Sequence, residues 1–318
     1  MNLAAKPVVL VTGADLADEA VRMLQHYHLV FAGARPTEDD LLALVRVHDP
    51  VALIVRYGRV SAAVINAARS LRVISKHGSG IDTIDSDAAQ TRGIAVKAAS
   101  GANAAAVAEH AIALLLACAK SVVPLDARMH AGHWDKATHK SIELAGRCLG
   151  LIGLGAIGLR VATIAHAMDM RVIGHDPYAN NVPPWIESVE LPRLWAEADA
   201  VSLHCPLTDT NKELINAATL AQCRNGVLLV NTARGGLINE ADLLAAVRSG
   251  KVACAGLDSF QQEPPPSQHV FQGQPGVILS PHVGGVTQDA YVKMGVGAAR
   301  NVLQVLEARM PEPVFAAS

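Results

Sequence analysis

The sequence predicts an α/β chain of two doubly wound, parallel-sheet domains. Three observations predict it. Short apolar runs alternate with helical patterns along nearly the whole chain, as strand–helix–strand units require. A glycine-rich turn, Gly153-Leu154-Gly155-Ala156-Ile157-Gly158, lies near the middle rather than at the start, so a domain precedes it. The 318 residues, 51% of them hydrophobic, are enough to bury two cores.

Residues 8–12 read as the first strand, followed by a helix over 14–26 and a strand over 29–32. A helix starts at Thr37 and carries Asp39 and Asp40 in its first turn, where carboxylates favour the helix dipole. Strands at 51–55, 73–75 and 94–96, with a helix at 61–69, complete a parallel sheet of about five strands. Residues 103–120 form an apolar helix that crosses to the second domain. Glu109 and His110 interrupt it and leave only 111–119 unbroken, far short of the roughly 20 residues of a membrane span.

Residues 148–152 are a buried strand leading into the glycine turn, and 157–168 are an apolar helix opened by its last glycine. A further apolar run, 170–174, ends at His175-Asp176 and places an acid about 20 residues past the turn. Each part has a physical purpose. Gly153 makes the turn, Gly155 lets the backbone approach a pyrophosphate, Gly158 packs helix on strand, and the helix N-terminus with Ala156 and Ile157 holds the phosphates. Asp176 accepts hydrogen bonds from a ribose 2′-hydroxyl and repels a 2′-phosphate, so the expected cofactor is NAD rather than NADP. The alternation resumes with strands at 201–204, 227–231, 253–257 and 277–280 and helices at 216–222 and 239–249. Asn239 caps the last of these helices and Gly250 stops it. The helix at 287–306 has no strand of its own to pair with, which leaves it available to return to the first domain. Pro311 and Pro313 punctuate a tail expected to be loosely ordered.

A formal net charge of −2 gives no field for polyanions, and neither a nucleic-acid nor a membrane partner is expected. Five cysteines, Cys118, Cys148, Cys205, Cys223 and Cys254, are odd in number and unpaired in spacing. They read as reduced residues of a cytoplasmic protein. Residues 1–6 lack the charged start and apolar core of a signal peptide. His130, His133 and His139 match no metal-site spacing, and no metal is expected. Trp134 reads as a packing anchor, and Cys205 as a small apolar residue on the adenine side rather than a nucleophile.

Three segments fall at strand ends of the second sheet, where ligands of such sheets bind. They are Asn231-Thr232-Ala233-Arg234-Gly235-Gly236, Gly256-Leu257-Asp258-Ser259-Phe260 through Glu263-Pro264-Pro265, and Ser280-Pro281-His282-Val283-Gly284-Gly285. An arginine, a carboxylate and a histidine supply an anion clamp, a pKa-raising partner and an acid–base group, a set suited to hydride transfer at a carbonyl.

With these segments, Lys76-His77-Gly78-Ser79-Gly80-Ile81-Asp82, Val107-Ala108-Glu109-His110 and His204-Cys205-Pro206-Leu207-Thr208, the chain resembles the D-isomer-specific 2-hydroxyacid dehydrogenase family. Within it, the resemblance is to the D-3-phosphoglycerate dehydrogenase-like branch without a regulatory domain. It covers nearly the whole chain. It implies a flavodoxin-like substrate domain of residues 1–101 and 287–318, with an inserted Rossmann NAD-binding domain, 102–286, in a homodimer. It further implies that Arg234 binds and polarises a small 2-oxo acid, that His282 donates the proton, and that Glu263 supports His282. Asp258 would meet the nicotinamide, and Cys205, Pro206, Thr232, Ala233, Gly284 and Gly285 would line the cofactor. Ser79 and Gly80 would hold the substrate carboxylate. Arg56, Tyr57 and Lys76 would line the rest of the substrate pocket, with Arg56 meeting the distal group; phosphoglycerate dehydrogenases carry cations for the substrate phosphate at the matching places, where Arg56 and Lys76 match best, so the implied reaction is that of a D-3-phosphoglycerate dehydrogenase. Hydroxypyruvate or glyoxylate reduction is the alternative reaction, and an NADH-sensing, corepressor-like scaffold the alternative class.

Overall fold

Apolar residues point alternately to the two faces along the central strands of both sheets, so these strands feed two cores, one on each face. The structure, a computed structural model, describes residues 6–308; Pro311, Pro313 and residues 1–5 lie outside them. The contacts divide the chain into two units, one formed up to Asn103 and from Val286 onward, the other by Ala104–Gly285.

The first unit runs β1 (Val8–Val11), α1 (Asp18–Met23), β2 (His28–Phe31), α2 (Glu38–His48), β3 (Ala52–Val55), α3 (Ala62–Ala67), β4 (Val73–Lys76), α4 (Ser86–Thr91) and β5 (Ala95–Ala98). Its described strands form one sheet of order β2-β1-β3-β4-β5 with every pair parallel. Leu10, Leu53, Val55 and Ile74 enter the core under α2, α3 and α4. Val9, Val11, Ala52, Ile54 and Val73 enter the opposite one. The first helix is shorter than its pattern suggests. Ala17, its N-cap, is extended at ψ 139°, so residues 12–17 stay a loop. Helix α4 buries only Ala89 and has no apolar stripe, so its sequence carries no helical signal.

The second unit runs α5 (Ala104–Lys120), α6 (Val122–His130), β6 (Cys148–Ile152), α7 (Ala156–Ala167), β7 (Arg171–His175), β8 (Glu187–Ser188), α8 (Leu191–Glu197), β9 (Ala200–Leu203), α9 (Ala217–Gln222) and β10 (Val227–Asn231). A 3-10 turn (Gly235–Leu237), α10 (Glu240–Arg248), β11 (Val252–Leu257) and β12 (Val277–Leu279) follow. The described strands make one parallel sheet of order β12-β11-β10-β9-β6-β7-β8, which reverses direction of growth between β6 and β9. Helices α5 and α7 cover one face over Leu149, Leu151, Val172 and Val230. Helices α8, α9 and α10 cover the other over Ile152, Ile173, Leu203 and Leu229. Trp134 departs from expectation: it is 74% exposed and anchors no core. Among the described residues no single helix is long and apolar enough to cross a membrane.

The chain then returns to the first unit with α11 (Gln288–Glu307), capped by the Thr287 side chain. Its Ala298, Ala299, Val302 and Leu306 complete the core over Val9 and Ile54. Asn301 Nδ2 ties it to the sheet through Ser75 Oγ at 3.3 Å and Ala98 O at 3.1 Å.

The N-terminus of α2 offers a direct check on local folding. Thr37 N donates to Asp40 Oδ2 at 2.8 Å and Asp40 N donates to Thr37 Oγ1 at 3.2 Å, a reciprocal cap. Thr37→Ala should lower unfolding free energy by about 1 kcal/mol in denaturant titration, with Thr37→Ser retaining most of it. Equal stability of all three proteins would contradict the cap.

Candidate active site

At the reversal between β6 and β9 the sequence forces the chain into a cradle. Gly153 has φ 96°, and a Cβ there would lie 2.6 Å from the carbonyl carbon of His204 and 2.7 Å from Cys205 N. A Cβ on Gly158 would sit 2.1 Å from Gly153 O, whereas one on Gly155 would meet nothing within 4 Å. Close packing therefore demands glycine at 153 and 158, and the backbone at Gly155 faces open space. Gly155 is the N-cap of α7 and offers no side chain to the first-turn N–H groups of Ala156, Ile157 and Gly158.

Asp176, at the end of β7, is fixed beside this turn. Its Oδ2 accepts from Leu154 N at 2.8 Å and its Oδ1 from Tyr178 N at 2.9 Å. Burial pushes the Cys205 thiol up to about 11 and the His204 imidazole down to about 4, so both stay neutral at pH 7. His204 Nδ1 and Thr232 Oγ1 are buried without hydrogen-bond partners. The open backbone, fixed carboxylate and unpartnered polar atoms fit a dinucleotide whose pyrophosphate rests on α7 and whose ribose meets Asp176.

The arginine, carboxylate and histidine are assembled by backbone packing. Asn231, fully buried at the end of β10, closes a turn: Nδ2 donates to Arg234 O at 2.9 Å and Oδ1 accepts from Ala233 N at 3.0 Å. A Cβ on Gly235 would fall 1.9 Å from the carbonyl carbon of Phe260, so the Arg234 turn lies directly on the segment leading to Glu263. Glu263 Oε1 accepts from Phe260 N at 3.0 Å and Oε2 accepts from His282 Nδ1 at 2.7 Å. A carboxylate only accepts, so Nδ1 carries the proton and Nε2 is the nitrogen left to titrate. The Glu263 hydrogen bond raises the His282 pKa above its ordinary value, against burial and the Arg234 charge. Burial pulls the Glu263 carboxyl up, but the His282 and Phe260 hydrogen bonds outweigh it and hold it low.

His282 has φ 53°, a left-handed backbone uncommon for a residue with a side chain. Asp258 is what holds it there. This carboxylate is 1% exposed; Oδ1 accepts from Val283 N at 2.9 Å and Ser280 Oγ at 2.5 Å, and Oδ2 from Gly284 N at 2.8 Å. His110 of α5 joins through Ser280 Oγ at 2.9 Å. Asp258 thus ties the loop that presents His282, with both of its oxygens accepting from that loop. A Cβ on Gly284 would meet Asp258 Oδ2 at 2.9 Å, so Gly284 is glycine to admit this carboxylate, and Gly285 follows it. Ser280 and His110 were not singled out from sequence as site residues, since neither carries the reactive chemistry.

In the first unit the sheet reverses between β1 and β3, and the loops after β1, β3 and β4 carry the remaining residues. Ser79 and Gly80 follow Gly78, whose φ is 134°, and Ser79 Oγ donates to Asn103 Oδ1 at 3.1 Å. Lys76 Nζ donates to Arg56 O at 3.3 Å. The Arg56 side chain, 10% exposed, gives its Nη1 to the backbone oxygen and carboxylate of Asp15, and its guanidinium lies over the rings of Tyr57 and Tyr291. Arg56 is therefore not presented as an open anion site, and Asp15 and Tyr291, unremarked in the sequence, are its partners.

The profile of the family described as D-isomer specific 2-hydroxyacid dehydrogenase, NAD binding domain, matches residues 112–284. A hydroxypyruvate reductase of Thermotoga maritima is 36% identical over 92% of this chain and 96% of its own length. A D-3-phosphoglycerate dehydrogenase of Methanocaldococcus jannaschii is also 36% identical, over 96% of this chain but only 59% of its own length. Among solved structures, the TT0316 protein from Thermus thermophilus superposes with a TM-score of 0.86 at 36% identity, covering 96% of this chain and 98% of its own.

The Glu263–His282 pair yields a measurable signature. In an NMR titration His282 should titrate above ordinary histidine, and in Glu263→Gln its midpoint should fall, because the amide no longer favours the imidazolium. An unchanged midpoint would remove Glu263 as the source of the shift.

Proposed function

The chain belongs to the D-isomer-specific 2-hydroxyacid dehydrogenases, and we propose that it interconverts a small D-2-hydroxy acid and its 2-oxo acid. NAD, when bound, supplies or takes up the hydride. Asp176 reads the ribose hydroxyls and disfavours the extra phosphate of NADP. In reduction, Arg234 holds the substrate carboxylate and polarises the ketone, while His282 Nε2–H gives its proton to the carbonyl oxygen. In oxidation the neutral Nε2 takes the proton from the hydroxyl. Glu263 fixes the ring and its tautomer through Nδ1, and Asp258 fixes the backbone that aims it. In the first unit, Tyr57, Lys76, Ser79 and Gly80 lie at the carboxyl ends of β3 and β4. The observation that carries this reading is the 2.7 Å pair between Glu263 and His282, which keeps an acid available near neutral pH.

The same reading makes the protein a cytoplasmic homodimer. Its five cysteines are free thiols, as a reducing compartment favours. Helix α5 buries most of its apolar residues within the second unit, but α6 buries none and exposes Val122, Val123 and Met129. With Leu125 and Trp134, Met129 lines a hollow of about 390 Å³. This is an apolar face suited to its own copy.

Three measurements test this reading. His282→Asn, which tolerates the left-handed backbone, should lower kcat for NADH-dependent reduction of 2-oxo acids by about 100- to 10,000-fold. In the native enzyme, kcat/KM for reduction should fall as pH rises through the raised His282 pKa, and that for oxidation should rise through it. Wild-type turnover in the variant would overturn the assignment. Trp134→Glu should convert a dimer of 33.3 kDa chains to monomer in sedimentation velocity; a native protein already monomeric would refute the proposed face.

A further inference from the structure

The carboxyl ends of β1 and β3, which flank the reversal of the first sheet, are where a ligand of this sheet type binds. The loop after β1 brings Asp15 and the loop after β3 brings Arg56. The cation at this place is largely enclosed, its side chain 10% exposed. Its Nη1 is held by the Asp15 carboxylate and by Asp15 O, and its guanidinium lies 5.3 Å from the centre of the Tyr57 ring and 5.0 Å from that of Tyr291. Gly13 packs its backbone on the stem, since a Cβ there would lie 3.0 Å from Arg56 Cδ. The Tyr291 hydroxyl, from α11, donates to Asp15 Oδ1 at 2.8 Å and fixes the carboxylate in turn. Beside them His77 is buried, 5.7 Å from the Tyr291 ring, and burial pushes its pKa down to about 4, so it adds no positive charge at pH 7.

We propose that the Asp15–Arg56–Tyr291 clamp is a specificity device that selects 2-oxo acids with a small uncharged distal group and rejects those bearing a phosphate. This rests on the dehydrogenase reading above and names the substrate class of that same site. Two effects act together. A phosphate would have to draw the guanidinium away from a carboxylate that neutralises it, and its two negative charges would then stand beside Asp15. An uncharged hydroxymethyl, methyl or hydrogen meets neither cost. Arg56 becomes a neutralised, aromatic-flanked wall of the pocket, and Asp15 is the residue that makes it one. The tyrosine hydroxyl keeps the carboxylate from swinging into solvent, where Asp15 is 66% exposed.

The test compares kcat/KM for hydroxypyruvate and 3-phosphohydroxypyruvate, with NADH, in the native protein, Asp15→Ala and Tyr291→Phe, each checked for folding by circular dichroism. The native enzyme should prefer hydroxypyruvate by at least about tenfold. Asp15→Ala should raise the phosphorylated-to-unphosphorylated ratio by at least about tenfold by freeing the guanidinium, and Tyr291→Phe should raise it by less. A native preference for the phosphorylated acid, or a ratio unmoved in Asp15→Ala, would overturn the clamp while leaving the dehydrogenase reading intact. No NADH oxidation by the native protein with either acid, or with glyoxylate or pyruvate, would overturn that reading and the clamp with it.

Discussion

The reactive end of the second unit depends on one buried carboxylate. Asp258, 1% exposed, gathers two backbone N–H groups and a serine hydroxyl around itself, with His110 Nε2 at 3.4 Å. Leaving such a charge unpaired costs several kcal/mol, more than the roughly 1–3 kcal/mol stored in a left-handed residue. The loop therefore accepts φ 53° at His282 in exchange for a fully bonded Asp258. Gly284 follows from that choice, since it has room for the carboxylate only because it has no side chain, and the imidazole so presented meets Glu263 at 2.7 Å.

Both sheets solve one packing problem in two ways. Parallel strands need helices on both faces, so most residues of the central strands are committed to a core. Functional groups are left to the loops at the strand ends, and to the places where sheet growth reverses. Those places, between β1 and β3 and between β6 and β9, hold the Arg56 clamp and the glycine cradle respectively. The cradle is built by close approach, the clamp by charge and aromatic contact. One needs missing side chains; the other needs large ones.

This difference decides what could be read from the chain. The strands, the glycine turn and Asp176 were legible because strand periodicity and turn spacing are local patterns written in consecutive residues. Helix α4 and the two-residue strand β8 were missed because neither carries a periodic apolar face. The loop-tying bonds of Asp258 were hidden for a subtler reason. An aspartate at a strand end suits both a group that meets a ligand and a group that ties a loop, and only the positions of Val283 N and Gly284 N reveal the tie. The Asp15–Tyr291 bond joins residues 276 positions apart, so no window of sequence contains it. Trp134, expected as a packing anchor, is instead 74% exposed in the loop after α6.

The return of α11 to the first unit sets an order on how the chain is made. Val9, Val11, Ala52, Ile54 and Val73 leave the ribosome early, yet part of the cover over that face, Ala298, Ala299, Val302 and Leu306, is translated only after the whole of Ala104–Gly285. The inserted unit is continuous and has its full complement of strands first. The outer unit waits with a greasy sheet face half covered, a stretch of synthesis during which chaperones, or nonsense truncation just before residue 288, would matter most.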